Sequence, residues 1–311
     1  VGYEGGSRGT GLGLGIDLAH LAAFAAVVDE GSFEAAAREL HVTPSAISQR
    51  IKSLEARMGR ILVRRAKPCR PTEAGQVLVR LAGQTALLQR EALADLAGGP
   101  PAPATGLRMQ MAVNADSLAT WFLPALATLA SGYPATFDIR QEDQDHSVAL
   151  LRDGSVMAAV TAEPRAVQGC RVEPLGAMRY LAVASPSFRD RYLGPGLSPD
   201  RLSAAPMLVF NRKDALQQRF LARLAGRELD PPVTFLPSSH GFAEAARLGL
   251  AWGMVPEQMV RDGLDRGDLA EIAPGAFLDV PLYWQRWRLD SPALAALTAA
   301  VTQAAAASLR R

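Results

Sequence analysis

The chain has 311 residues, enough for two or three compact domains with cores of their own. Charged residues make up 21% and the formal net charge is only +2, which excludes a polycation; affinity for a polyanion would have to come from a local patch. The two cysteines, Cys69 and Cys170, match no metal-ligand or paired redox spacing, so reduced thiols are expected and a redox sensor would need a resolving partner the sequence does not place.

Residues 1–16 are Gly-rich without the basic-then-apolar order of a signal peptide, and no apolar run reaches transmembrane length. They read as a disordered extension on a cytoplasmic protein with no membrane partner. Residues 17–30 carry Leu18, Leu21, Phe24, Ala25 and Val28 on one helical stripe that Gly31 ends. Ala35, Ala36, Ala37 and Leu40 give the next helix a small, close-packing face, and Val42-Thr43-Pro44 supplies the stop, the cap and the restart. On the helix that follows, Ile47, Ile51, Leu54 and Met58 recur at spacings of three and four as the buried stripe.

The other face of that helix holds Ser45, Ser48, Gln49 and Lys52, with Thr43 at its start and Arg50 flanking it. These side chains hydrogen-bond base edges and phosphates in a major groove. After Gly59 come Arg60, Arg64, Arg65, Lys67 and Arg70 with no acid among them. Such a run is ordinarily a solvated face. Directly after a candidate reading helix it is better explained as a wing on the phosphate backbone, making residues 17–75 a winged helix-turn-helix for double-stranded DNA.

Thr72 is placed to cap a long helix whose linker portion is residues 76–97, with Leu78, Leu81, Leu88 and Leu96 recurring among Ala82, Thr85 and Ala92. A second copy of the same helix would cover that stripe and set two reading heads on one duplex; the alternative is an intramolecular core helix. The run Gly98-Gly99-Pro100-Pro101-Ala102-Pro103 marks residues 98–106 as a hinge. Beyond it the pattern predicts strands at 107–113, 136–140 and 156–161, a helix at 118–130 interrupted by Pro124, and a helix at 147–152. A second set has strands at 180–184, 207–210, 233–236 and 251–255 with helices at 215–225 and 241–248, before a strand at 282–287 and an Ala-rich helix from Pro292. The expectation is an α+β multidomain chain: a mostly parallel sheet in two α/β lobes, residues 107–178 plus 273–311 and residues 179–272, with a ligand crevice at the carboxyl ends of strands.

From Asp17 onward the chain resembles the LysR-type transcriptional regulators. The resemblance rests on Ser32-Phe33 with Ala35-Ala36-Ala37, on Thr43-Pro44-Ser45-Ala46-Ile47-Ser48, on Ile51 and Leu54-Glu55, on Gly59, Leu62 and Arg65, and on Thr72-Glu73-Ala74-Gly75. Many members enter the wing with Leu-Phe-x-Arg, where this chain has Leu62-Val63-Arg64-Arg65. Pro68-Cys69-Arg70-Pro71-Thr72, Asn114-Ala115-Asp116-Ser117, Glu142-Asp143-Gln144-Asp145-His146 and Leu282-Tyr283-Trp284-Gln285 resemble the lysine- and arginine-responsive LysG/ArgP branch. The resemblance implies a homodimer or dimer of dimers joined through the linker helix, RNA polymerase as a further partner, and an effector domain like that of periplasmic binding proteins. It also implies a small-molecule effector, lysine or arginine, with no cofactor, and control of a basic amino acid exporter gene. A different effector, such as another amino acid, a carboxylate or a redox signal, is the alternative. An enzyme is the weaker reading, since no nucleophile-elbow glycines surround Ser117, Ser238 or Ser239, and no phosphate-cradling loop or metal-ligand spacing is present. A DNA-binding protein without an effector would leave both α/β lobes without a purpose.

A basic amino acid needs an anion site for its carboxylate and acids for its ammonium groups. Asn114, Asp116, Ser117 and Thr120 follow a strand and open a helix, where backbone N–H groups and the Ser117 hydroxyl can hold a carboxylate, although Asp116 or Ser117 could simply cap it. Glu142, Asp143 and Asp145 crowd at the next strand's exit, with His146 and Arg179 as potential partners; they are the candidate cation site, with a solvated capping loop as the competing explanation. Asn211, Asp214, Ser239 and His240 are expected across the same crevice, together with Ser238, while His240 alone is more often a structural hydrogen-bonder. Trp121, Trp284 and Trp287 could form an apolar wall, but at these spacings aromatics more often belong to the core.

Overall fold

The computed structural model describes residues 15–96, 98, 107–142 and 144–311, so the predicted extension up to residue 14 and the hinge beyond Gly98 lie outside the described residues. The chain divides into two compact units, one holding the elements up to Leu96 and one those from Leu107 onward.

In the first unit α1 (Leu18–Glu30) starts where Asp17 Oδ1 accepts the Ala19 N–H at 2.7 Å and ends at Gly31, whose φ of 68° is the left-handed cap conformation. Next, α2 (Phe33–Glu39) is capped by Ser32, and α3 (Pro44–Met58) opens with Thr43 Oγ1 accepting the Ala46 N–H and with Pro44 in its first turn. Phe24, Val27, Ala36, Ile47, Ile51 and Leu54 form the center of a shared core. Burying each of the larger side chains contributes about 1.5–3 kcal/mol. The predicted stripe of α1 is rotated: Leu18 is 49% exposed, and Ala23, Ala26 and Val27 are buried beside Leu21 and Phe24. The reason is that α1 packs against α2, α3 and the later linker helix together, so more than one face is covered.

The wing is an antiparallel pair, β1 (Val63–Arg64) with β2 (Arg70–Pro71). It is tied to α3 by Glu55, whose Oε1 accepts from the N–H groups of Leu62 and Val63, and to the end of α1 by the Cys69 N–H donating to the Gly31 carbonyl at 2.7 Å. The linker helix α4 (Glu73–Leu96) begins at Thr72, which accepts the Gly75 N–H. It comes so close to the wing that a Cβ on Gly75 would sit 2.2 Å from the Leu62 carbonyl oxygen, hence the glycine.

The second unit opens with β3 (Leu107–Val113), α5 (Ala115–Ser117), a π-helical turn (Leu118–Phe122) and α6 (Leu123–Gly132). Pro124 has no N–H to offer the carbonyl four residues back, and the chain widens just before it. Then come β4 (Ala135–Gln141), α7 (Gln144–Asp153), β5 (Ala158–Thr161), the long β6 (Cys170–Ala184), α8 (Pro186–Tyr192) and α9 (Pro199–Ala204). They are followed by β7 (Met207–Val209), α10 (Leu216–Ala225), β8 (Val233–Phe235), α11 (Ser239–Arg247), β9 (Gly253–Pro256), α12 (Glu257–Arg266), β10 (Ala270–Glu271), β11 (Phe277–Trp287) and α13 (Pro292–Ser308).

The main sheet runs β10-β6-β11-β5-β3-β4, with β9 also on β6, and β7 pairs with β8 in a small second sheet. The expectation of a mostly parallel sheet needs correction. Among the named strands of the described residues, parallel pairing is limited to β4–β3–β5 and β7–β8, whereas β6 pairs antiparallel with β9, β10 and β11, and β11 antiparallel with β5. The predicted strands at 180–184 and 282–287 are the ends of two long strands, β6 and β11, paired along most of their length with an irregularity at Leu282/Tyr283. Glu173, Pro174 and Gly176 hide the first half of β6 from a hydropathy pattern. Trp121, Trp284 and Trp287 are core residues, Trp284 donating from Nε1 to Thr298 Oγ1 at 3.2 Å, and both cysteines are buried thiols.

Candidate nucleic-acid interface and ligand cavity

On the first unit, burying Ile47, Ile51 and Leu54 turns the opposite face of α3 outward. Ser45, Gln49 and Lys52 are exposed on it, with Ser48 partly so. Thr43 is exposed too but is engaged, capping the helix and sharing a 2.9 Å hydrogen bond with Ser45 Oγ. Arg50 is half-buried and close enough to Asp17 to help hold that carboxyl below its usual range, after the two backbone N–H groups that do most of it. Arg64, Lys67 and Arg70 are exposed on the wing, whereas the Arg65 guanidinium lies over the Phe33 ring at 5.1 Å, fastening the wing to α2. The geometry is a helix edge of small polar groups beside a cationic hairpin.

On the second unit, the ends of β3 and β4 and the starts of α10 and α11 enclose a cavity of about 310 Å³. It is lined by Asn114, Asp116, Glu142, Asn211, Asp214 and Ser239 among the residues the sequence singled out. The cap of α5 is Asn114, whose Oδ1 accepts the Ser117 N–H at 2.9 Å, so neither Asp116 nor Ser117 serves that purpose. That frees Asp116 to point at the cavity, where Oδ2 accepts the Tyr180 hydroxyl at 2.7 Å. Desolvation pushes the Asp116 carboxyl up; the hydroxyls of Ser239 and Tyr180 oppose the rise and the Asp214 charge adds to it. Burial and then Asp116 itself push the Tyr180 phenol well above the usual tyrosine range, so it remains a donor. Ser239 Oγ has no hydrogen-bond partner with good geometry among the described residues.

Asp214 and Asn211 shape the wall: Asp214 accepts from the N–H groups of Phe210 and Leu216, and Asn211 Oδ1 from those of Lys213 and Asp214. Three expected contacts are not found on the lining, and a fourth residue is engaged elsewhere. Thr120 is turned away from the cavity, its hydroxyl donating to the Asp116 carbonyl four residues back. His240 is exposed and is not part of the lining, because one residue along a helix rotates by about 100° from buried Ser239. Ser117 is buried beneath the lining with its Oγ unpartnered. The Arg179 guanidinium is bidentate to Asp279 at 2.9 Å and, among the described residues, makes no ion pair with Glu142. Asp143 and the side chains of Asp145 and His146 lie outside the described residues. The sequence reading missed Tyr180, Lys213, Gln217 and Arg219, which also line the cavity. Tyr180 sits in a strand, where hydropathy alone reads as core; Lys213 lies inside the Asn211–Asp214 loop as one exposed cation among many, and Gln217 and Arg219 fall on the helix beyond it.

A family model described as the bacterial regulatory helix-turn-helix protein, lysR family, matches residues 18–76, and the LysR substrate binding domain matches residues 106–306. The chain belongs to the LysR family of transcriptional regulators. Within that family it falls in the LysG/ArgP branch. It is 51% identical over 296 residues to the regulator LysG of Mycobacterium tuberculosis, covering 95% of each chain. It is 46% identical to the lysine export transcriptional regulatory protein LysG of Corynebacterium glutamicum, covering 91% of this chain and 96% of the relative. Among solved structures, ArgP from Mycobacterium tuberculosis superimposes with a TM-score of 0.84 at 49% identity, covering 94% of this chain and 98% of that one. Full-length LysG from Corynebacterium glutamicum with bound effector Arg gives 0.76 at 43% identity, covering 95% and 100%.

A LysR regulator reads its operator with the helix-turn-helix, so no enzymatic role is assigned to the serines of the second unit. No helix among the described residues is long and apolar enough to cross a membrane. Two substitutions separate the contributions of helix and wing. Arg64→Ala should weaken binding to every DNA sequence alike and flatten the salt dependence by about one counterion. Gln49→Ala should instead blur preference at one base pair, by about 1–3 kcal/mol, in competition titrations against operator variants.

Proposed function

We propose that this regulator is gated by a basic amino acid, arginine or lysine, which enters the cavity bounded by Asp116, Glu142 and Asp214 and alters the grip on the operator. The observation that carries the reading is the convergence of three carboxylates from separate strand ends and loops on one cavity. The charge of Asp214 raises Asp116, a repulsion that a cationic ligand relieves although Lys213 and Arg219 also line the cavity, and Asp116 is its proposed anchor. The arginine-bound LysG at 43% identity supports the same ligand class. The regulator acts in the cytoplasm as a homodimer or dimer of dimers joined through α4, contacts RNA polymerase, and controls a gene for basic amino acid export. Its effector domain consists of the lobes 107–178 plus 273–311 and 179–272, between which the ligand sits. Thr43, Ser45, Ser48, Gln49, Arg50 and Lys52 face the groove, with Arg64, Arg65, Lys67 and Arg70 along the phosphates.

A thermal-shift screen of the twenty amino acids tests it. Arginine or lysine at a hundred times its Kd should add about 2.7 kcal/mol to stability. A response confined to neutral or acidic amino acids would overturn the proposal.

A further inference from the structure

One residue in the cavity wall is not explained by its packing. Gln217, on the first turn of α10, is 1% exposed and lines the cavity, yet its Oε1 has no hydrogen-bond partner among the described residues. A buried acceptor without a donor costs stability, and a helix position among Phe220, Leu221 and other buried side chains would be better filled by an apolar residue if packing were its only role. Oε1 is shut off from solvent as it stands, and a turn of the carboxamide would bring it to a donor on a ligand in the cavity that Gln217 lines.

We infer that Gln217 is a specificity-determining residue for the effector, its Oε1 accepting a hydrogen bond from an N–H of the bound basic amino acid. The inference rests on the basic amino acid reading of the cavity. An ammonium group brings three N–H donors and a guanidinium five, more than one carboxylate takes up. A neutral carboxamide adds an acceptor without adding negative charge to a cavity where the charge of Asp214 already raises Asp116. A ligand with an apolar end leaves Oε1 as unmet as before and forgoes the gain that an N–H donor brings.

The experiment is a calorimetric titration of arginine and lysine into the full chain and into Gln217→Met and Gln217→Glu, with melting temperatures of the empty proteins. Methionine keeps the length and flexibility of glutamine without its polar end. Gln217→Met should bind the better of the two ligands about tenfold or more weakly, which corresponds to roughly 1.4 kcal/mol. Its empty form should melt at or above the unsubstituted protein, as expected when an unmet polar group is removed and unlike the loss of a structural contact. Gln217→Glu, which retains an acceptor, should bind equally or more tightly. Unchanged affinity in Gln217→Met, a lowered melting temperature of its empty form, or loss of binding in a folded Gln217→Glu would each overturn the inference. Should the unsubstituted protein bind neither ligand, the effector reading fails and takes this inference with it; binding by the unsubstituted protein with no change in Gln217→Met refutes the role of Gln217 alone.

Discussion

Asp116→Asn is expected to weaken arginine or lysine by more than a hundredfold while leaving the empty protein at least as stable at neutral pH. The two effects share a cause. In the empty protein the carboxyl is held in a desolvating wall with Tyr180 as its hydrogen-bond donor, and burial raises it from its ordinary value of 3.8. A bound ammonium or guanidinium pairs with the ionised form, and removing one member of a buried pair costs about 3–5 kcal/mol, or more than two decades in Kd. The stability effect has the opposite sign. A carboxyl raised on folding contributes stability that is present below its ordinary value and is lost as pH rises through the raised one, where the folded protein must ionise a desolvated group. Asparagine never ionises, so the difference in stability between variant and unsubstituted protein should grow in the variant's favor from the ordinary carboxylate range toward neutrality. Denaturant midpoints across that range read the slope, and calorimetry reads the binding. A variant that still binds arginine within a few-fold would remove Asp116 from the site.

The second large effect is expected on α4. Val77, Leu81 and Leu88 are 73%, 39% and 43% exposed in the single chain. At 100° per residue they fall within roughly 40° of one another, to one side of the buried Leu78 and Ala82. A solvent-facing apolar stripe on a 24-residue helix is what a second copy would cover. Leu81→Glu with Leu88→Glu should leave the helix folded, because both side chains already face water, and should convert the proposed dimer to monomer in sedimentation. Joining two reading heads raises avidity by roughly 10²–10⁴, so operator affinity should fall by about a hundredfold or more. A double variant that remained dimeric would place the interface elsewhere.

The helix-turn-helix was legible nearly residue by residue because its signals are local. Thr43 before Pro44, the three- and four-residue spacing of Ile47, Ile51 and Leu54, and Gly31 and Gly59 past helix ends all act within a turn or two. The same local grammar was available at Ser185-Pro186 and Ser198-Pro199, where a serine caps and a proline opens α8 and α9, two helices the sequence reading passed over. Sheet topology was less legible, since the partner of each half of β6 is set by residues about a hundred positions away. The cavity shows the same divide. Asn114 and Asp116 stood out from strand-then-cap chemistry, but the hydroxyl that orients Asp116 comes from Tyr180, 64 residues on. Ser239 and His240 could not be told apart until the phase of α11 was known.

On the proposed reading, a cationic ligand in the cavity of Asp116, Glu142 and Asp214 changes how the paired reading heads hold DNA. The most direct measurement of that change is the operator Kd of the full-length protein, by anisotropy at fixed salt, with and without saturating arginine or lysine, alongside Asp116→Asn. Operator affinity is expected to change with the basic amino acid in the unsubstituted protein and to stay fixed in Asp116→Asn. An equal ligand-induced change in both proteins, or none in either while calorimetry shows the amino acid bound, would contradict that reading.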